Sequence, residues 1–449
     1  MLKADFIRKT GLGRLVNFDG VITGAEIDSR KLQPGAAFFA LKSEQSDGHV
    51  YVQDALKKGA VLCVVSSAWA NLNPISAPLW IVDNPETALQ KLAEQWRLSF
   101  SIPMLAITGT NGKTTTRSMC AAVLQSRYNL HTTTGNLNNQ LGLPMTLINL
   151  NSTHNFSLLE MGTNHFGEIE FLCRIAHPNA GLITNVGWGH TEYFGDINGV
   201  ARAKSELFAA LPHDGIAFVN GDDPLIAGMT LPCRKITYGF DCTGADFRGK
   251  IVNFSESGCA QLQINSKIDI RLALPGKVAA MNALAAAAIG LYYKVDEQAV
   301  VSALEQFQPV NQRFVISRIG PYQVINDAYN ANPNSTMAAI ETFRLMKVTG
   351  RRIFVMGDML ELGQFAANGH AAVGQAVASA GIDRFYGVGH LTDNATTAAA
   401  KAGLKDVFHF ESKPELLAAL KADLKTGDIV LVKGSRGSRM EEIIEGLKG

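Results

Sequence analysis

A short apolar run, Met104-Leu-Ala-Ile-Thr108, leads into Gly109-Thr110-Asn111-Gly112-Lys113-Thr114-Thr115-Thr116 and then into residues 117–125, which carry helical spacing. Strand, glycine loop and helix in this order restrict the chain more than any other feature, because they call for a buried parallel sheet flanked by helices. The glycines let the backbone turn tightly and aim several N–H groups at an anion, and the helix behind adds its positive dipole end. A nucleotide phosphate suits that cradle. Lys113 is placed for the β- and γ-phosphates of ATP and Thr114 for Mg²⁺, with Gly109, Thr110, Asn111, Gly112 and Thr115 completing the loop. The spacing is a variant, since Ile107 stands where the common form wants its first glycine. A glycine turn opening an ordinary helix is the plain alternative. The loop alone names no reaction, because switches, motors, kinases and ligases all use it.

At roughly 150 residues per domain, 449 residues suggest about three domains. Short β-type runs at 37–41, 60–65 and 79–82 around a helical stretch at 51–58 predict a small first α/β domain, 1–83. Strand-like runs at 104–108, 157–160, 181–186 and 216–220, an alternating antiparallel insertion near 251–274 and an Ala-rich helix from Lys277 predict a central domain, 84–312. A third series, with strands at 322–326, 352–356, 384–388 and 428–432, predicts a doubly wound, Rossmann-like domain, 313–449, whose ligands lie beyond the C-terminal strand ends. The chain thus reads as α/β throughout.

Lys and Arg number 41 against 40 Asp and Glu, so no overall charge draws the chain to nucleic acid or to a membrane surface. The apolar stretch 278–293 is too short to span a bilayer and reads as a buried helix. Six scattered cysteines without a Cys-x-x-Cys pair argue against structural zinc and a disulfide framework, and fit core packing. With no signal-like N-terminus, a cytoplasmic monomer is expected.

Glu160 ends the run Phe156-Ser-Leu-Leu-Glu160, so a carboxylate stands at the tip of a buried strand, where a Mg²⁺ ligand belongs; a solvated strand end is the alternative. His190 follows Asn185-Val-Gly-Trp188-Gly on a loop, read as exposed, at the same expected sheet edge. Lys204 sits in a helical stretch where spacing alone reads it as a surface lysine.

Taken together, these strings resemble the Mur ligases, ATP-dependent amide-forming enzymes of peptidoglycan synthesis. Asp28-Ser29-Arg30 through Leu41, with Asp47-Gly48-His49, resembles their uridine-nucleotide domain. The glycine loop, Glu160, the segment up to His190, and Lys204 resemble their central ATPase domain. Asn282, Arg313 and the run from Asn326 through Asp327, Asn330 and Asn332 to Ser335 resemble the elements that close over the nucleotide. Within the family, Gly135-Asn-Leu-Asn138-Asn139-Gln-Leu-Gly-Leu-Pro144 and Met356-Gly-Asp358-Met-Leu-Glu361-Leu-Gly363 are most similar to the branch that joins D-alanyl-D-alanine to UDP-N-acetylmuramoyl-tripeptide. An Asp-Asn-Pro-Arg string in the third domain, typical of the diaminopimelate-adding branch, does not occur. That branch, a folylpolyglutamate-synthetase-like ligase and a nucleotide switch are the competing readings.

The resemblance implies catalytic roles for Lys113, Glu160, His190 and Lys204, with Lys204 carbamylated by CO₂. It implies two Mg²⁺ sites drawn from Thr114, Glu160, His190 and Lys204. Asn282, Arg313 and Asp327 would hold ATP, Asp327 through the ribose or by bridging to Lys113. Ser29 and Arg30, extended by Asn138 and Asn139, would meet the UDP moiety. Asn330, Asn332, Ser435 and Arg436 would receive the dipeptide, although the loop carrying the last two reads equally as a solvated helix start.

Overall fold

The computed structural model describes residues 1–310 and 312–448. Its central nine-stranded sheet is built outward from Met104–Thr108. Phe156–Glu160 pairs with it on one side and Ala180–Ile183 on the other, both in parallel. Leu130–Thr132 closes one edge, while Ile216–Asn220, Arg234–Gly239 and Phe247–Phe254 extend the other in parallel. Cys259–Ile264 and Ile268–Pro275 then add an antiparallel ladder.

Alternation along each strand explains why both faces of this sheet are covered. Met104 and Ala106 join one apolar core, and Leu105 and Ile107 join the core on the opposite face. The Ala-rich helix Lys277–Tyr292 packs against the second face, close to the loop helix Lys113–Leu124. Its apolar residues encircle it because it is buried on nearly all sides.

The first domain carries a five-stranded sheet ordered Arg14–Val16, Leu79–Val82, Leu62–Ser66, Ala37–Phe39 and Ala25–Glu26. It also has a two-stranded ladder of Leu2–Lys3 with Val21–Ile22. Phe39, Val64 and Trp80 on one face share a core with Leu143, Leu172 and Ile175 of the central domain. The seam expected at 83/84 therefore runs through packed side chains. Helix Pro85–Arg97 fills it, started by the Asn84 side chain, which accepts N–H bonds from Glu86 and Thr87.

The third domain has a six-stranded sheet ordered Val315–Ile319, Tyr322–Asp327, Ile429–Lys433, Arg352–Gly357, Arg384–Val388 and Val407–Phe410, antiparallel only at its first pair. Phe354 and Met356 enter the core on one face, Ile353 and Val355 that on the other, as a doubly wound sheet requires.

Three expected features need correction. The loop helix starts at Lys113, one turn earlier than its apolar spacing implied. Helix Thr392–Lys401 and the strands Val315–Ile319 and Val407–Phe410 were not anticipated. Half of the cysteines, Cys63, Cys120 and Cys173, are buried, while Cys233, Cys242 and Cys259 are partly exposed. No helix among the described residues is long and apolar enough to cross a membrane.

Arg97 fastens the end of that helix to the central domain. Its guanidinium is 6% exposed and donates to the carbonyls of Ala176 (2.7 Å), Phe100 (2.7 Å) and His177 (3.1 Å). Arg97→Met leaves these acceptors unpaired, and each orphaned group costs about 1–3 kcal/mol. Urea unfolding is expected to show a loss of about 2–4 kcal/mol, not recovered by Arg97→Lys, whose single ammonium cannot serve the same planar fork.

Candidate active site

The phosphate loop emerges from the middle strand of the central sheet. Gly109 has φ 144°, and a Cβ there would collide with the Thr184 hydroxyl. Gly112, at φ 79°, is the residue before the helix, and a Cβ on it would come within 2.9 Å of Asn282 Oδ1. Asn282 thus flanks the loop directly. Thr110 N–H donates to the Asn185 carbonyl, and Asn111 N–H to Asn185 Oδ1 at 3.0 Å. Asn185 and Thr184 in turn donate to the Asn111 carbonyl, so the neighbouring strand end holds the loop in shape.

Three cationic side chains, Lys113, Arg117 and Arg313, gather here near one carboxylate. Glu160, 2% exposed at its strand tip, accepts from Thr114 Oγ1 (3.1 Å), Asn138 Nδ2 (2.8 Å) and Arg117 Nε (3.2 Å). Lys113 Nζ curls back to the carbonyls of Gly109 and Thr110. Burial lowers its pKa to about 8, with Glu160 opposing and Arg313 reinforcing that shift. Arg313, from the third domain, donates to Thr114 Oγ1 at 3.1 Å and stacks over the Tyr329 ring.

Lys204 lies on helix Ile197–Ala209 and is 1% exposed, which overturns its reading as a surface lysine. Among the described residues it has no ion-pair partner. Burial, and then the charge of Lys113, hold its pKa well below the ordinary lysine value. His190 is not the exposed loop residue expected; its side chain is 23% exposed, with Nδ1 2.7 Å from Glu361 Oε2 of the third domain.

Other assignments move. Asn138 sits on Glu160, and Asn139 Oδ1 accepts from the Leu141 and Gly142 N–H groups at the start of helix Gly142–Ile148. Ser29 is buried and donates to Asp54, whereas Arg30 is exposed and paired with Asp28. Asp327 does not bridge to Lys113. It is held by buried Lys433 at 2.6 Å. Asn332 exchanges side-chain hydrogen bonds with Asn111 of the phosphate loop, at 2.8 and 3.3 Å, while capping helix Pro333–Leu345. The remaining residues expected at the dipeptide do converge: Asn330 Oδ1 accepts from Arg436 N–H, and Ser435 Oγ donates to the Ala331 carbonyl.

Sequence reasoning missed Arg117, Asn185 and Glu361. Arg117 was recoverable, since it lies one helical turn beyond Lys113 and so shares its face. The other two stand inside strings already singled out, before His190 and around Asp358, but nothing local gave either a role.

The donor set suits a hard cation only in company. No three His, Cys, Asp or Glu side chains converge among the described residues, so a divalent ion near Thr114 and Glu160 would rely on phosphate oxygens for its remaining ligands. That is the usual habit of Mg²⁺.

Comparison with known proteins agrees with this arrangement. Residues 21–97 match the profile described as Mur ligase family, catalytic domain; residues 107–290 match the Mur ligase middle domain; and residues 312–436 match the Mur ligase, glutamate ligase domain. The chain belongs to the Mur ligase family. Among other Mur ligases, UDP-N-acetylmuramoyl-tripeptide–D-alanyl-D-alanine ligase of Bacillus subtilis is 36% identical over 429 residues, spanning 95% of this chain and 93% of that protein. The Escherichia coli enzyme of the same name is 35% identical, over 97% and 96% of the two chains. The crystal structure of MurF from Acinetobacter baumannii superposes with a TM-score of 0.87 at 28% identity, covering 100% of this chain and 98% of that one. The expected three-domain Mur ligase fold is thereby borne out.

The isolated Lys204 amine has a measurable consequence. Above pH 10.5 it is neutral in both folded and unfolded chains; as pH falls, the unfolded chain takes up a proton that the folded one refuses, and stability declines. In CO₂-free buffer, Lys204→Met is expected to flatten the fall in unfolding free energy from pH 10 towards neutrality. Identical slopes for the two proteins would contradict the burial of a neutral amine.

Proposed function

We propose that this chain is the ATP-dependent ligase that joins D-alanyl-D-alanine to UDP-N-acetylmuramoyl-tripeptide, giving UDP-N-acetylmuramoyl-pentapeptide, ADP and phosphate in peptidoglycan precursor synthesis. The observation that carries it is the meeting of Lys113, Thr114 and Glu160 with Arg313 brought from a different domain. Kinship to ligases of that name along nearly the full length supports the substrate pair.

A carboxylate is a poor electrophile, so the tripeptide's terminal carboxylate first attacks the γ-phosphorus of ATP, displacing ADP and forming an acyl phosphate. Lys113 and Arg313 offset the repulsion between the anionic nucleophile and the triphosphate, and the loop N–H groups hold the phosphates in line. Mg²⁺, when bound, would neutralise phosphate charge; Thr114 would hold one ion together with phosphate oxygens, and Glu160, His190 and carbamylated Lys204 would hold a second. The dipeptide amine then attacks the acyl carbon, a tetrahedral intermediate collapses, and phosphate leaves with the amine proton passed to solvent or base. Packing of the third domain over the loop keeps water from the acyl phosphate.

Lys204 as a free amine has little to do in this chemistry. Because burial holds its pKa well below the ordinary lysine value, its neutral form is favoured as a nucleophile for CO₂: the amine nitrogen bonds to carbon, one proton is lost, and a carbamate anion results. The charge of buried Lys113 favours that anion.

The test is ADP release on adding UDP-N-acetylmuramoyl-tripeptide, with and without D-alanyl-D-alanine. Release is expected only with both. Hydrolysis that needs neither substrate would instead favour a nucleotide switch, and dependence on diaminopimelate or lysine with the dipeptide nucleotide would favour the branch that builds the tripeptide. Lys204→Ala is expected to lower kcat by at least about 10²-fold, with partial recovery on adding a short carboxylic acid. Full activity in that variant would remove the carbamate.

A further inference from the structure

Residues 358–363 of the third domain follow the strand Arg352–Gly357 and lie against residues 187–192 of the central domain. Several separate contacts clamp the two loops. Glu192 N–H donates to the Glu361 carbonyl at 3.2 Å, the Thr191 hydroxyl to the Leu362 carbonyl at 3.3 Å, and Trp188 N–H to Asn334 Oδ1 at 2.8 Å. The Trp188 and Phe365 rings meet edge-on, 5.0 Å apart. At the centre of this contact, His190 and Glu361 face each other with φ of 58° and 61°. That left-handed conformation is disfavoured for any residue with a Cβ, and it persists where the surroundings impose it, often at functional sites.

The two side chains approach to 2.7 Å between His190 Nδ1 and Glu361 Oε2. Nδ1 is shielded from solvent and has no other partner, and its N–H is out of line with the carboxylate. Catalytic hydrogen bonds are commonly misaligned until substrate binds. A carboxylate on one ring nitrogen fixes the proton there and leaves the other as the lone-pair nitrogen, which is how ligating histidines are generally oriented.

We propose that Glu361 is the positioning residue for His190: its carboxylate, delivered by docking of the third domain, accepts Nδ1–H and so leaves Nε2 as the nitrogen offered to the metal. This rests on the reading of His190 as a Mg²⁺ ligand. It adds that the metal site, though carried by the central domain, reaches full affinity only when the third domain is seated. Glu361 is 43% exposed on its side chain, and an exposed ion pair that served only the interface would contribute little.

The experiment uses the full-length enzyme with Mn²⁺ as the probe, titrated by electron paramagnetic resonance in the presence of a non-hydrolysable ATP analogue and UDP-N-acetylmuramoyl-tripeptide. Glu361→Ala is expected to weaken Mn²⁺ binding and to lower kcat, each roughly 10–100-fold, while KM for the dipeptide moves by less than about threefold. Glu361→Gln, of the same shape and still able to accept through its amide oxygen, is expected to recover part of both and provides the comparison if the alanine variant unfolds. Wild-type Mn²⁺ affinity in a folded Glu361→Ala protein overturns the positioning role, whatever its activity, and leaves the ligase reading standing. Unchanged Mn²⁺ binding in His190→Ala removes His190 as a ligand and the proposal with it, a result told apart by the variant that produces it.

Discussion

Cationic side chains crowd the end of the strand Met104–Thr108 with too little negative charge to match them. Lys113, Arg117 and Arg313 gather near Glu160, only Arg117 forming an ion pair with it, and buried Lys204 feels the charge of Lys113. Burying unpaired charge is expensive, and the depressed pKa of both lysines is the expression of that cost. The pocket is therefore incomplete by itself: it becomes electrostatically sensible when anionic groups such as nucleotide phosphates bring the missing charge. Such a site binds anionic partners by relieving a strain the fold already carries.

This arrangement explains why the surrounding structure is so thoroughly tied down. Asn185 and Thr184 brace the loop from the adjacent strand, Asn138 and Arg117 hold Glu160 at its tip, and Arg97 fixes the helix linking the first two domains. A charged constellation in a low-dielectric setting has to be held by groups that are themselves held, or its members would turn away from one another towards solvent. Arg313 and Asn332 then roof the loop from the third domain, so the site is shared between domains.

Much of the fold was legible because buried parallel strands are continuous apolar runs. Met104–Thr108, Ile216–Asn220 and Arg384–Val388 lie where those runs placed them. Val407–Phe410, with its histidine and its partly exposed side chains, offered no such run. Helix Thr392–Lys401 was hidden by its alanines and threonines, whose weak amphipathic contrast leaves little periodicity to read. The site was legible to the extent that chemistry travels with local order: Lys113 and Thr114 are fixed by the loop, and Glu160 by its place at a strand end. The contacts of Asn138 with Glu160 and of Asp327 with Lys433 were not foreseen, because an amide on a loop or a carboxylate at a strand end gives no sign of which way it will turn.

The sequence by itself determined the phosphate loop, the strands that carry it and the family to which the chain belongs, since these rest on residues that are neighbours along the backbone or on strings long enough to compare. Only the tertiary structure decided that Lys204 is buried beside Lys113, that Arg117 belongs to Glu160, and that Glu361 meets His190. Each depends on contacts between residues from about 40 to 170 positions apart, and long-range pairing is set by how sheets and domains pack, which local spacing does not encode.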